Sequence, residues 1–233
     1  MQEVFDFNKV SIYGASAGAL IAVLAASGVN LDRAVREAYR VGDDNQIWTR
    51  PGGLAGIWGS LVRQWLDELL PPDAAERCRG RVKLVAAEAP TFRLCYLEDF
   101  ASREDLIDAA MASVHIPFFL DGNPTRQYRG KRFVDGSLWD FITGSNSKLL
   151  TCDGNAFVVD YFNDEQLEYQ RLDFIKLTTY DEVKDLVKAG YAYARRADDR
   201  REFEPTLGPA RKTLLTRVVE FPARQIGRAF AVA

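Results

Sequence analysis

Three residues in this chain have the chemistry of acyl transfer: a serine between glycines, a single histidine, and an aspartate that precedes a glycine. Ser16 stands in "GASAG", where Gly14 and Gly18 flank a hydroxyl in Gly-x-Ser-x-Gly spacing. A tight turn from strand to helix pushes such a serine into strained backbone geometry, and small flanking residues avoid the crowding. A helix starting at Ala17 would then aim free N–H groups and a positive dipole end at a developing oxyanion. The serine needs a base. His115, in "MASVHIPFF", is the one imidazole of the chain, and a Ser-His-Asp triad would require it. Its apolar neighbours favour a packed structural histidine instead. Asp135, in "RFVDGSLWD", comes directly after a β-prone run, and Gly136 permits close backbone approach beside it. A carboxylate held against a serine hydroxyl in a partly dry site acts as a general base without an imidazole. Taken alone, Asp135 reads as a turn aspartate.

The elements that must position these groups follow from the hydrophobic pattern. Residues 10–13 are β-prone and end at Gly14; from Ala17 alanines and leucines set a helical pattern that stops near Gly28. Asn30 caps a second helix over 31–40, and an amphipathic helix over 61–70 follows a glycine-punctuated, aromatic-bearing loop expected to be mobile. Residues 81–87 and 92–97 read as strands around the Ala89-Pro90 turn. Ser102 with Asp105 opens a helix to about Ser113, which Pro117 prevents from continuing. The run 128–134 is a strand interrupted at Gly130, 156–161 is a further apolar strand, and 181–196 is helical. Strands alternating with helices predict an α/β layered fold with a largely parallel sheet.

The totals exclude several other classes. A chain of 233 residues buries a sizeable core and reads as one large domain. Its formal net charge of -3 offers no global attraction to nucleic acid. Cys78, Cys95 and Cys152 are an odd number without C-x-x-C spacing, which argues against a disulfide framework and a zinc site. No metal or organic cofactor is expected. The apolar run 19–29 includes Ser27 and Gly28 and is too short to cross a bilayer. The opening "MQEVFDFNKV" lacks the pattern of a signal peptide.

"GASAG", then "ASVHIPFF", then "VDGS", in that order and spacing, resemble the patatin-like phospholipase family over residues 10–140. The resemblance implies a three-layer, modified α/β-hydrolase-like sheet with helices on both faces. It implies a Ser-Asp dyad in which Ser16 is the acylated nucleophile and Asp135 the proton acceptor, so that no histidine is needed. Gly14, Ala17, Gly18 and Gly136 become the motif and oxyanion positions. A patatin-like domain is accordingly expected over 1–200, and the charge pattern beyond it reads as a basic amphipathic extension over 201–233. Two departures stand out. Family members usually carry Asp-Gly-Gly or Asp-Gly-Ala, whereas Ser137 follows Gly136 here. The family also places a glycine-rich oxyanion loop before its serine motif, and "MQEVFDFNKVSIY" contains no glycine. The expectation is therefore an N-terminally truncated domain.

The implied activity is hydrolysis of carboxyl esters in acyl lipids, with a transacylase and a non-catalytic lipid-binding domain as its rivals. The implied setting is cytoplasmic, peripheral to a membrane or lipid droplet, with no nucleic-acid partner. Trp48, Ile57, Trp58, Leu61 and Trp65 line an acyl groove or fill the core, with neither favoured by the sequence. Arg211, Lys212, Arg217, Arg224 and Arg228, interleaved with apolar residues, offer a surface for anionic lipid or the solvated face of a docked helix.

Overall fold

The computed structural model describes residues 10–143, 147–154, 156–159 and 177–207. The chain begins there with β1 (Ile12–Ala15), which turns at Ser16 into α1 (Ala17–Ala26). α2 (Leu31–Asp44) is capped by Asn30, whose Oδ1 accepts the Arg33 N–H at 2.8 Å. α3 (Trp58–Leu69) and the short α4 (Ala74–Cys78) lead into the central strand β2 (Val82–Ala89). β3 (Arg93–Leu97) returns alongside it, and α5 (Arg103–Ser113) starts where Ser102 accepts the Asp105 N–H at 3.1 Å. β4 (Arg126–Tyr128) and β5 (Lys131–Asp135) form a hairpin at the expected Gly130 interruption, so the run read as one interrupted strand is two antiparallel strands. Short α6 (Leu138–Thr143) and α7 (Lys148–Thr151) precede α8 (Tyr180–Asp199) and α9 (Glu204–Leu207).

The sheet is mixed. Only β1 runs parallel to β2; β3 and β5 pair antiparallel with β2, and β4 antiparallel with β5. The expectation of a largely parallel sheet fails among the described residues because two pairs are tight hairpins, which force reversal of the chain. One face of β2 carries Val82, Leu84 and Ala86 into a core shared with α1, α3, α4 and α5, including Leu24, Leu66, Ile107 and Met111. The opposite face meets α7: Tyr13 and Tyr96 lie 5.7 Å apart there, and the Tyr96 hydroxyl donates to the Leu149 carbonyl at 2.7 Å. The result is an α/β fold with helices on both faces of the sheet.

Other expectations settle in the same way. Leu61 is buried with Val41 and Ile47, and Trp58 and Trp65 pack against the main core, so most of these apolar residues are core. The glycine-rich loop is pinned, with Gly56 and Gly59 donating to the carbonyls of Phe119 and Leu120 at 2.9 and 2.8 Å. Trp48 is 40% exposed and stacks on Tyr39, whose hydroxyl donates to Thr178 and whose ring meets Tyr180, tying the start of α8 to α2. No strand forms at 156–159, where Val159 is 65% exposed, because an apolar run needs a paired neighbour to become a strand. The rest of that run, the basic residues of 209–233 and the first nine residues lie outside the described residues. All three cysteines are free, and among the described residues no helix is long and apolar enough to cross a membrane.

Leu84 sits at the centre of β2 with no exposed surface. Leu84→Ala is expected to cost about 2–5 kcal/mol through lost burial and the cavity left behind. A denaturant melt with an unchanged slope and a lower midpoint checks this.

Candidate active site

β1 and β5 arrive at the same edge of β2 from opposite directions. Ala15 is in register with Val85, and Asp135 with the next residue, Ala86. β3 occupies residues Leu84 to Glu88 across the other edge, so the ends of β1 and β5 meet tip to tip. Ser16, one residue past β1, is thereby brought to Asp135, the last residue of β5.

The turn at Ser16 is strained. Its φ of 54° and ψ of -130° belong to a region that costs a side-chain-bearing residue roughly 1–3 kcal/mol. The Ser16 carbonyl accepts the Ala19 N–H at 2.9 Å, which starts α1, but its hydroxyl makes no capping bond. Ala17 and Gly18 are exposed, and among the described residues their N–H groups have no acceptor. A Cβ at Gly14 would lie 2.3 Å from the Gly18 carbonyl oxygen, so helix and strand pack with no room for any side chain there. Gly18 differs from the expectation: a Cβ there would meet nothing within 4 Å. Its flank of the serine points outward along the helix end, so crowding constrains Gly14 alone.

Asp135 is 3% exposed. Its backbone N–H donates to the His115 carbonyl at 2.8 Å, and the Gly136 N–H reaches the Ser113 carbonyl at 3.4 Å. The Ser113 hydroxyl in turn donates to the Val85 carbonyl at 2.7 Å. The segment 113–117 is therefore a clamp on the aspartate turn. Gly136 closes it from the other side, where a Cβ would lie 2.1 Å from the Val85 carbonyl oxygen. Its φ is not positive, so close approach, rather than freedom to turn, is what the glycine supplies.

Oδ1 of Asp135 accepts the N–H and the hydroxyl of Ser137, both at 2.8 Å. Oδ2 is buried with no partner at hydrogen-bond geometry. Burial raises the carboxyl pKa above the ordinary aspartate range, opposed by the Ser16 hydroxyl, the two Ser137 donors and His115. His115 itself is fully buried and its Nε2 bonds the Asn123 carbonyl at 3.1 Å. Burial lowers its pKa, which keeps the ring neutral. Ser16 and Asp135 are brought together; His115 supports the aspartate through its backbone.

A sequence profile of the patatin-like phospholipase family matches residues 10–143, which include the serine turn, the clamp and the aspartate turn. The chain belongs to the patatin-like phospholipase family. It is 29% identical over 127 residues to human patatin-like phospholipase domain-containing protein 4, covering 54% of this chain and 50% of that protein. Human patatin-like phospholipase domain-containing protein 5 is 31% identical over 54% of this chain and 30% of its own length. A human omega-hydroxyceramide transacylase is 29% identical over 53% of this chain and 23% of its own length. The chain thus spans half or less of the length of these relatives. Two features of this patatin-like site escaped sequence reasoning. The clamping role of Ser113 depends on a carbonyl 28 residues earlier. Ser137 was visible only as a departure from the usual motif, without the bond it makes.

Two outcomes follow from this geometry. Gly136→Ala is expected to prevent folding, since backbone rather than a flexible side chain blocks the methyl group, while Gly18→Ala should stabilise by about 0.4–1 kcal/mol. Thermal melts of both variants check the contrast. Because the native Asp135 pKa lies above its unfolded value, the carboxyl lowers stability as pH rises between the two values, and the cost is complete above the native one. Asp135→Asn, which keeps an acceptor for Ser137, should therefore melt higher than the parent at neutral pH. That gain should shrink as pH falls toward the ordinary aspartate range, as melts across a pH series will read.

Proposed function

We propose that this chain carries a serine carboxyl-ester hydrolase site for acyl lipids, with Ser16 as nucleophile and Asp135 as general base. The observation that supports it is the tip-to-tip meeting of β1 and β5, which sets an uncapped hydroxyl beside a buried carboxyl with one unpartnered oxygen. Asp135 takes the Ser16 proton as Oγ attacks the ester carbonyl carbon. The negative oxygen of the tetrahedral intermediate is held by the free N–H groups at the start of α1, Ala17 and Gly18. The alcohol leaves with the proton from Asp135, and Oγ retains the acyl group. Asp135 then deprotonates a water that attacks the acyl-serine, releasing the fatty acid and restoring the hydroxyl. A carboxyl raised by burial is a better proton acceptor than a free one, which suits this role near neutral pH.

A second reading replaces the water with a lipid hydroxyl, making the site a transacylase; it is favoured by the similarity to a protein named for that reaction. The chemistry at Ser16 and Asp135 is the same up to the acyl-enzyme. Either reading needs contact with a lipid phase, and the proposed setting is peripheral, on a membrane or lipid droplet. Phe118 and Trp139 support this: they are 65% and 49% exposed, and follow closely after the clamp and the aspartate turn in the chain.

Ser16→Ala and Asp135→Asn should each reduce hydrolysis of a short-chain nitrophenyl ester by at least about a thousandfold. His115→Gln should keep most of the activity at a lower melting temperature. A fluorophosphonate probe should label the parent at Ser16 and leave Ser16→Ala unlabelled. Loss of activity in a folded His115 variant would replace the dyad with a triad.

A further inference from the structure

We propose that Ser137 is a positioning residue of this site: its hydroxyl fixes the plane of the Asp135 carboxylate, occupying one oxygen and leaving the other for the Ser16 proton. The proposal rests on the reading of Ser16 and Asp135 as nucleophile and base. Two donors converge on Oδ1 from the same residue, the Ser137 N–H and hydroxyl, each at 2.8 Å. The N–H is delivered by the backbone path, because Gly136 is pressed against the Val85 carbonyl and bonded to Ser113. The hydroxyl is an independent choice of side chain. Glycine or alanine at 137 would keep the first donor and lose the second.

The surroundings offer little else to orient an anion. β2 faces the carboxyl with Val85 and Ala86, which do not titrate. The clamp contributes His115, which burial keeps neutral and whose Nε2 is engaged by the Asn123 carbonyl. α6 contributes Asp140, a carboxyl whose own pKa is raised mainly by burial and also by the charge of Asp135. Ser16 contributes its hydroxyl. Among the described residues, the oriented side-chain donor on the carboxyl besides Ser16 is therefore that of Ser137, half-buried and held at Oδ1. A charge-assisted bond of this kind favours the ionised form and weakens once the carboxyl takes up a proton. Ser137 thus holds the base ready in its resting state.

Direct titration of Asp135 tests this without depending on turnover. The full chain is labelled with carbon-13 at aspartate carboxyls, and the Asp135 signal is the one missing from Asp135→Asn. Ser137→Ala should move its titration upward by about one pH unit, and Ser137→Thr, which keeps a hydroxyl, should return it. Ser137→Gly removes the hydroxyl a second time and should repeat the alanine result. In ester hydrolysis, the acid limb of the pH profile should shift the same way with KM little changed. An unmoved titration in a folded Ser137→Ala or Ser137→Gly protein, or failure of Ser137→Thr to restore it, overturns the proposal. A chain that moves its titration but labels with no fluorophosphonate and hydrolyses no ester removes the enzyme reading while supporting the contact between Ser137 and Asp135.

Discussion

The contact between backbones at Val85 and Gly136 sets the spacing of the whole site. β2 can receive β1 and β5 on one edge only if both strands stop where they meet, at consecutive residues of β2. Gly136 then turns away so close to the Val85 carbonyl that a methyl group has no place. The same carbonyl accepts the Ser113 hydroxyl, so helix α5, the central strand and the aspartate turn share one atom as a reference point. A hydroxyl and a carboxyl brought together by such packed main chain are held more firmly than groups on loops, because moving either would require the sheet to open.

That rigidity has a cost in electrostatics. A carboxylate with 3% of its surface exposed loses most of its hydration, and an unpaired buried charge is expensive. The groups that oppose this burial are first the hydroxyls of Ser16 and Ser137 and the Ser137 N–H, and only then the imidazole of His115. A nearby cation would offset the burial more fully, but would also pull the pKa down and make the carboxylate a weaker proton acceptor. Dipolar donors leave the carboxyl ionisable yet basic. The strain at Ser16 works in the same direction: the positive φ presents the hydroxyl beyond the strand end instead of letting it cap α1.

The single histidine shows how position governs role. A Ser-His-Asp arrangement would need an imidazole between hydroxyl and carboxyl, whereas the His115 ring is turned to Asn123. Its backbone carbonyl, a group any residue would supply, holds the Asp135 N–H. The side chain packs; the main chain takes part in the site.

Much of the local structure was legible in the sequence. Asn30 and Ser102 cap the helices their side chains predict, since a capping bond joins residues three apart and needs no tertiary partner. The serine turn was legible for a similar reason, as were the turn at Gly130 and the order of the three motifs. Strand direction was not: alternation of strands and helices suggested a parallel sheet, but β5 runs against β2, a direction set by how the β4–β5 hairpin docks on the sheet and not by any local pattern. The two glycines of the serine motif look equivalent in one dimension, yet only Gly14 is crowded, and it is crowded by the helix that follows. Ser113 showed only as part of the middle motif and Ser137 only as a departure from the last one; the bonds they make were not legible, because their partners are set by how β5 and α5 dock on β2. What neighbours in the chain can satisfy, the sequence determined; which hydroxyl meets which carboxyl was decided by the sheet, through backbone contacts that fix two strand ends against one edge.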